Sequence, residues 1–152
     1  MVEKKNRMSN FGNTNNNKLV VKSSTANLIT IRKFINNKAS LFGFSKDEIE
    51  DIVLSVDEAC TNIIEHSYNS KPNFDIEISV TFSKNKFIVK IVDYGESFEP
   101  NSLKDMDIEL YRKQRRVGGL GVYLMKTLMD DVKYTSVKNK YNQVLLTKKL
   151  AQ

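Results

Sequence analysis

"FDIEISVTFSKNKFIVKIVDYG", residues 74–95, decides how this chain folds. Phe74, Ile76, Ile78, Val80 and Phe82 alternate with polar residues, the period of a strand that buries one face. "SKNK" reads as a turn and "FIVKIVD" as a second strand running back beside the first. Two strands joined by so short a turn pair antiparallel. Asp93 ends the second strand after an apolar run, and Gly95 lets the backbone turn away sharply.

Toward the N-terminus, Leu28, Ile31, Ile35, Ala39 and Phe42 recur at helical spacing. They predict a first helix from about residue 25 to about 41, ended by Gly43. Ser45 followed by Glu48 is a capping-box pattern that opens a second helix, expected to run to about His66. "KLVVKSS" is a short strand ahead of both helices, and residues 1–17, polar and rich in Asn, are expected as a disordered tail. The rest, 18–152, is expected as one domain. Toward the C-terminus, residues 94 to about 118 are irregular and charged, with Gly95 and Pro100. A third helix is expected after the glycines at 118, 119 and 121. "DVKYTSV", a turn at "KNKYN" and "QVLLTKKL" close the chain. The order β-α-α-β-β-loop-α-β-β predicts a two-layer α+β sandwich, with a mixed, largely antiparallel sheet and its helices on one face.

With 152 residues the chain can bury a sizeable core. Its 40% hydrophobic and 28% charged content is ordinary for a soluble protein. No apolar run approaches the ~20 residues that cross a bilayer, and the N-terminus lacks the apolar core of a signal peptide. One cysteine, Cys60, excludes an internal disulfide and any multi-cysteine metal site. A cytoplasmic protein with no membrane contact is the expectation. The net charge of +6 raises the question of nucleic acid, but the basic residues form no single stripe and no nucleic-acid motif accompanies them. A solvated basic surface accounts for them, as does an acidic partner or ligand.

Three segments carry candidate chemistry. In "DIVLSVDEACTNIIEHSY", residues 51–68, Glu58, Asn62 and His66 lie opposite the apolar arc, each step rising about 6 Å. That spacing alone fits a solvated helix face. It also fits a site, with Glu58 as general base and the Asn62 amide oxygen as a hard ligand for Mg²⁺. Cys60 faces the core. Asp93 fits either an ordinary strand-to-turn signal or a partly buried carboxylate at a pocket floor, where it needs a donor such as the exocyclic amino group of adenine. "QRRVGGLGVYLMKTLMD", residues 114–130, fails as a dinucleotide fingerprint, because no strand precedes it and no third glycine follows. It fails equally as a phosphate loop of the GxxxxGK[ST] kind. What remains is a glycine linker, or a glycine turn that aims backbone N–H groups and a helix N-terminus at an anion. Arg115 and Arg116 then stand where they can reach a terminal phosphate.

In order, these segments resemble the N, G1 and G2 boxes of the ATPase superfamily shared by gyrase, heat-shock chaperones, sensor histidine kinases and MutL. The resemblance covers residues 19 to 150. "VDEACTNIIEHSY", "VDYGESFEP" and "RRVGGLGVYLMKTLMDDVKY" are most similar to the bacterial anti-sigma-factor serine/threonine kinases. The resemblance implies the histidine-kinase-like (Bergerat) ATPase fold, with ATP and Mg²⁺ as cofactors. It implies Glu58 as the base and Asn62 as the metal ligand. It implies Asp93, with Gly95, as the adenine-reading group, and Gly118, Gly119, Leu120 and Gly121 as the phosphate loop. Residues 94–118 would be a lid, with Arg116 (or Arg115) on the γ-phosphate. The family often places a small hydroxyl residue near the start of the last strand; "NQVLL" has none, and Thr147 comes too late.

The function so implied is an anti-sigma factor that phosphorylates a STAS-type antagonist protein, sequesters a sigma factor and forms a homodimer, without contacting nucleic acid directly. The alternative is a nucleotide-dependent protein-binding switch without phosphoryl transfer, which has no need of a base at position 58. A sensor histidine kinase fragment is disfavoured, because the only histidine lies inside the helix of the site.

Overall fold

The computed structural model describes residues 13–96 and 117–151. Its elements are β1 (Asn13–Asn15), β2 (Lys18–Lys22), α1 (Leu28–Phe42), α2 (Lys46–Asn62), β3 (Asp75–Ser83), β4 (Lys86–Asp93), α3 (Val117–Leu128), β5 (Asp131–Val137) and β6 (Tyr141–Lys149). The strands form one sheet in the order β1-β2-β3-β4-β6-β5. Every pairing among the described strands is antiparallel, the simpler form of the sheet expected from sequence. After β4 the chain passes through α3 to the far edge, lays down β5 and returns as β6 between β5 and β4.

Cross-strand register aligns one row of inward side chains after another. Leu19, Ile78, Ile91 and Val144 make one row, and Val80, Val89 and Leu146 the next. All are buried beneath the helices. A third row begins with Val21 and Ile76 but continues into Asp93 and Asn142, so two polar side chains occupy a core-facing position at one end of the sheet. Phe74 and Phe82, expected on this face, are exposed at its two ends: Phe82 stacks on Phe42 and Phe74 on Tyr68.

The helices form because their apolar stripes match this surface. α1 buries Leu28, Ile31, Ile35 and Ala39 and ends at Gly43, whose φ of 106° suits a residue without a β-carbon. Ser45 then caps α2: its side chain accepts from the Glu48 N–H, and the Glu48 carboxylate accepts from the Ser45 N–H. Removing such a cap costs about 1 kcal/mol. α2 packs between α1 and α3 and buries Ile52, Val56, Ala59 and Cys60.

Three sequence expectations change, and a fourth falls on residues that the structure does not describe. Residues 13–15 pair with β2 as a strand instead of belonging to the tail, because Asn16 and Asn17 turn the chain back along it; residues 1–12 lie outside the description. α2 does not run as an α-helix to His66 but gives way at Ile63–Ser67 to a π-helical turn. The glycines do not precede the third helix: Gly118, Gly119 and Gly121 lie within α3. At Gly121 the cost of about 1 kcal/mol for a helical glycine is offset by the close approach to α2 that it permits. Residues 97–116, with Arg115, Arg116 and most of the expected lid, lie outside the described residues.

Candidate functional site

Glu58 and Asn62, one turn apart on α2, are half-buried instead of facing solvent. α3 covers them, and its closest approach is at Gly121. A Cβ added at Gly121 would sit 2.7 Å from Glu58 Oε2 and 3.4 Å from Asn62 Nδ2. Glycine here lets the first turns of a helix lie directly against a carboxylate and an amide. Burial, reinforced by the negative charges of Asp57 and Glu65, holds the Glu58 carboxyl above its ordinary pKa, the setting of a base rather than of a salt-bridged surface group. Asp57 points away and is paired with Arg32 at 2.6 Å.

Asn62 Oδ1 is buried and has no hydrogen-bond partner among the described residues. Leaving such an acceptor unpaired costs about 1–3 kcal/mol, a cost that a bound cation removes. No cluster of three or more His, Cys, Asp or Glu side chains exists among the described residues. A cation at the Asn62 oxygen would take its other ligands from water and phosphate, as Mg²⁺ commonly does beside nucleotides. The residues present fit Mg²⁺ with a nucleoside triphosphate.

Asp93 is the other sequence candidate, at the end of β4. It is 2% exposed, and burial raises its pKa against the opposing effect of the polar groups around it, Asn142, the Gly95 N–H and Ser67. Its Oδ1 accepts from the Gly95 N–H at 2.9 Å and from Asn142 Nδ2 at 2.9 Å. Gly95 is required by contact: a Cβ there would collide with the Ser67 carbonyl. Asn142 Nδ2 also donates to the Glu96 carbonyl at 2.8 Å, while Asn142 Oδ1 accepts from the Ser136 hydroxyl at 2.6 Å. This network fixes which way the amide points.

Two groupings of the expected residues thus come together: Glu58, Asn62 and Gly121 at the α2–α3 contact, and Asp93 with Gly95 at the end of β4. The last turn of α2 and its π-helical extension run from the first to the second. His66 joins neither; its side chain is 64% exposed beside Glu65. Cys60 is fully buried, and burial pushes its thiol far above the range where it ionises, so it packs. Gly118, Gly119 and Leu120 belong to the opening turn of α3. Sequence reading missed Asn142, Ser136 and Ser67. Asn142 was findable, because alternation with Val144 and Leu146 makes it an inward position; an amide stands near the start of the last strand where a hydroxyl was sought.

An antiparallel sheet backed by helices, with a buried carboxylate at one strand end and an orphan amide oxygen beneath a glycine-bearing helix start, has the plan of an ATPase domain. The chain belongs to the histidine kinase-like ATPase domain family, whose model matches residues 21–148. Serine-protein kinase RsbW of Bacillus velezensis is 36% identical over 111 residues, covering 70% of this chain and 69% of that kinase. The Bacillus subtilis serine-protein kinase RsbW is 38% identical over 108 residues, covering 68% and 67%. Among solved structures, the SiaB–SiaC complex from Pseudomonas aeruginosa matches with a TM-score of 0.68 at 11% identity, covering 96% of this chain and 95% of that one. The RsbU and RsbW domains of a Mycobacterium tuberculosis protein match at 0.63 and 15%, covering 89% of this chain and 33% of that one. At these identities the structures share the fold. No helix among the described residues is long and apolar enough to cross a membrane.

Proposed function

We propose that this chain is an ATP-dependent protein serine/threonine kinase that acts as an anti-sigma factor. It phosphorylates a STAS-type antagonist and, when free of it, sequesters a sigma factor. Its relatives named serine-protein kinase support the activity. The observation that carries the mechanism is the juxtaposition of the half-buried Glu58 carboxylate, the orphan Asn62 oxygen and the start of α3 at Gly121. A nucleotide-binding switch has no use for a carboxylate held basic at that point.

In this reading Asp93 receives the adenine amino group, and Asn142, Ser67 and the Gly95 N–H hold the carboxylate in place. The first turn of α3 directs its backbone N–H groups at the phosphates. Asn62 would hold Mg²⁺, which when bound would supply charge neutralisation at the phosphates. Glu58 accepts the proton of the substrate hydroxyl as its oxygen bonds to the γ-phosphorus, and the bond from that phosphorus to the β–γ bridging oxygen breaks to release ADP. Arg116, or Arg115 beside it, completes the charge balance at the γ-phosphate. The protein works in the cytoplasm as a homodimer.

The test is phosphate incorporation into a co-isolated STAS-type partner, with ATP and Mg²⁺. Wild-type protein should phosphorylate a serine or threonine of the partner. Binding that depends on ATP without any transfer would replace the kinase reading with the switch. Asn62→Ala separates metal from base. It should weaken ATP binding in Mg²⁺ by at least the roughly 10–100-fold that loss of an outer-shell metal partner costs. Binding in EDTA should stay unchanged by titration calorimetry. Equal loss in both conditions would remove Asn62 from the metal site.

A further inference from the structure

We propose that Tyr68 is a positioning residue for base selection, through its grip on the turn that carries Asp93. The inference rests on the reading of Asp93 as the group that receives adenine. It begins with the π-helical turn at Ile63–Ser67, a form found mostly as single turns and frequently at functional sites. The Tyr68 N–H donates to the Ile63 carbonyl, five residues back, at 3.0 Å. The wider turn swings Ser67 and Tyr68 away from the course of α2 and against the end of β4.

Every backbone N–H of the turn after Asp93 is then accounted for. The Tyr94 N–H donates to the Tyr68 hydroxyl at 2.7 Å, the Gly95 N–H to Asp93 itself, and the Glu96 N–H to the Ser67 carbonyl at 3.0 Å. The same Tyr68 hydroxyl donates to the Asp75 carbonyl at 2.6 Å, at the start of β3. One oxygen therefore ties the ends of two strands together at the residue next to Asp93. The ring is 4% exposed and stacks on Phe74, with centroids 4.9 Å apart and planes 13° from parallel. The oxygen can be removed while the ring keeps its place. Without it, the Tyr94 N–H loses its acceptor, and the aim of the adjacent carboxylate is left to the Gly95 N–H and Asn142.

Adenosine and inosine triphosphates differ at the exocyclic group that Asp93 would read, so the ratio of their affinities reports the aim of that carboxylate. Tyr68→Phe should lower the ATP-to-ITP affinity ratio by about tenfold, the scale of one buried hydrogen bond. Exchange of the Tyr94 amide with solvent, followed by NMR, should quicken in the same variant. Ser45→Ala, which removes a helix cap away from the turn, should leave the ratio as it is. In the unaltered protein, ATP should slow Tyr94 amide exchange more than ITP does, because coupling between base and brace is reciprocal. An unchanged ratio in Tyr68→Phe, or an equal fall in Ser45→Ala, would reduce Tyr68 to a structural residue. Equal protection of Tyr94 by both nucleotides would do the same. Wild-type protein with no preference for ATP would remove base reading by Asp93, and this proposal with it.

Discussion

Glu58→Gln should abolish nearly all phosphoryl transfer while leaving ATP bound. Glutamine has the shape of glutamate, so it keeps its place beneath Gly121, where a Cβ would sit only 2.7 Å from the Glu58 carboxylate. It lacks the basicity. A positioned general base contributes typically 10²–10⁴-fold to rate, and the loss in kcat should fall in that range. Calorimetry should return the wild-type affinity for ATP in Mg²⁺, because neither the base-reading end nor the Asn62 oxygen is altered. The pH profile of the wild type carries the same information. Burial and the charges of Asp57 and Glu65 raise the pKa of Glu58, and the base works only when ionised. Activity should therefore be lost on acidification at a pH above the ordinary glutamate range of about 4.3. This acid limb should be absent from the residual rate of Glu58→Gln. A variant that transfers phosphate at more than a tenth of the wild-type rate would exclude Glu58 as the base.

The parts of this fold that were legible in sequence are those set by short-range periodicity. Ile76, Ile78 and Val80 alternate because one side of β3 meets the helices, and Ser45 with Glu48 announces the start of α2 by a local hydrogen-bond exchange. The features that escaped depend on groups distant in sequence. Gly121 looked like a turn residue because glycine disfavours helices, yet it lies inside α3 and lets that helix approach Glu58 on α2, far away in sequence. The π-helical turn has no signal in composition; it answers the need of β4 for a carbonyl and a hydroxyl at its end. Asn142 was overlooked because a hydroxyl was expected there, whereas its amide meets a carboxylate, a carbonyl and a serine at once. Glu58 and Asn62 were read on one side of α2, a side whose spacing fits a solvated face as well as a site. Their burial comes from α3, which no reading of α2 alone supplies.

Asp93→Asn should weaken ATP binding without weakening the fold. Asparagine retains an oxygen that can accept from the Gly95 N–H and from Asn142 Nδ2, the two donors now on Asp93 Oδ1. The Ser67 hydroxyl, near the carboxylate, can accept from the new amide nitrogen. The pocket then offers a donor where adenine also brings a donor. Losing a buried hydrogen bond to a charged group costs about 1.5–3 kcal/mol, or roughly ten- to a hundredfold in affinity. ATP and ADP should suffer alike, since the base is common to both, and ITP, with a carbonyl at that position, should gain on ATP. Stability should move the other way. Burial raises the pKa of Asp93, so its ionised form is disfavoured in the fold. That cost is fully present above the raised pKa and disappears as pH falls below the ordinary value. Thermal unfolding at neutral pH should show the variant at least as stable as wild type, with any advantage shrinking on acidification through that window. Wild-type affinity for ATP in Asp93→Asn would remove Asp93 from the base. An equal loss of ATP and ITP, with a large fall in stability, would make it a structural carboxylate instead.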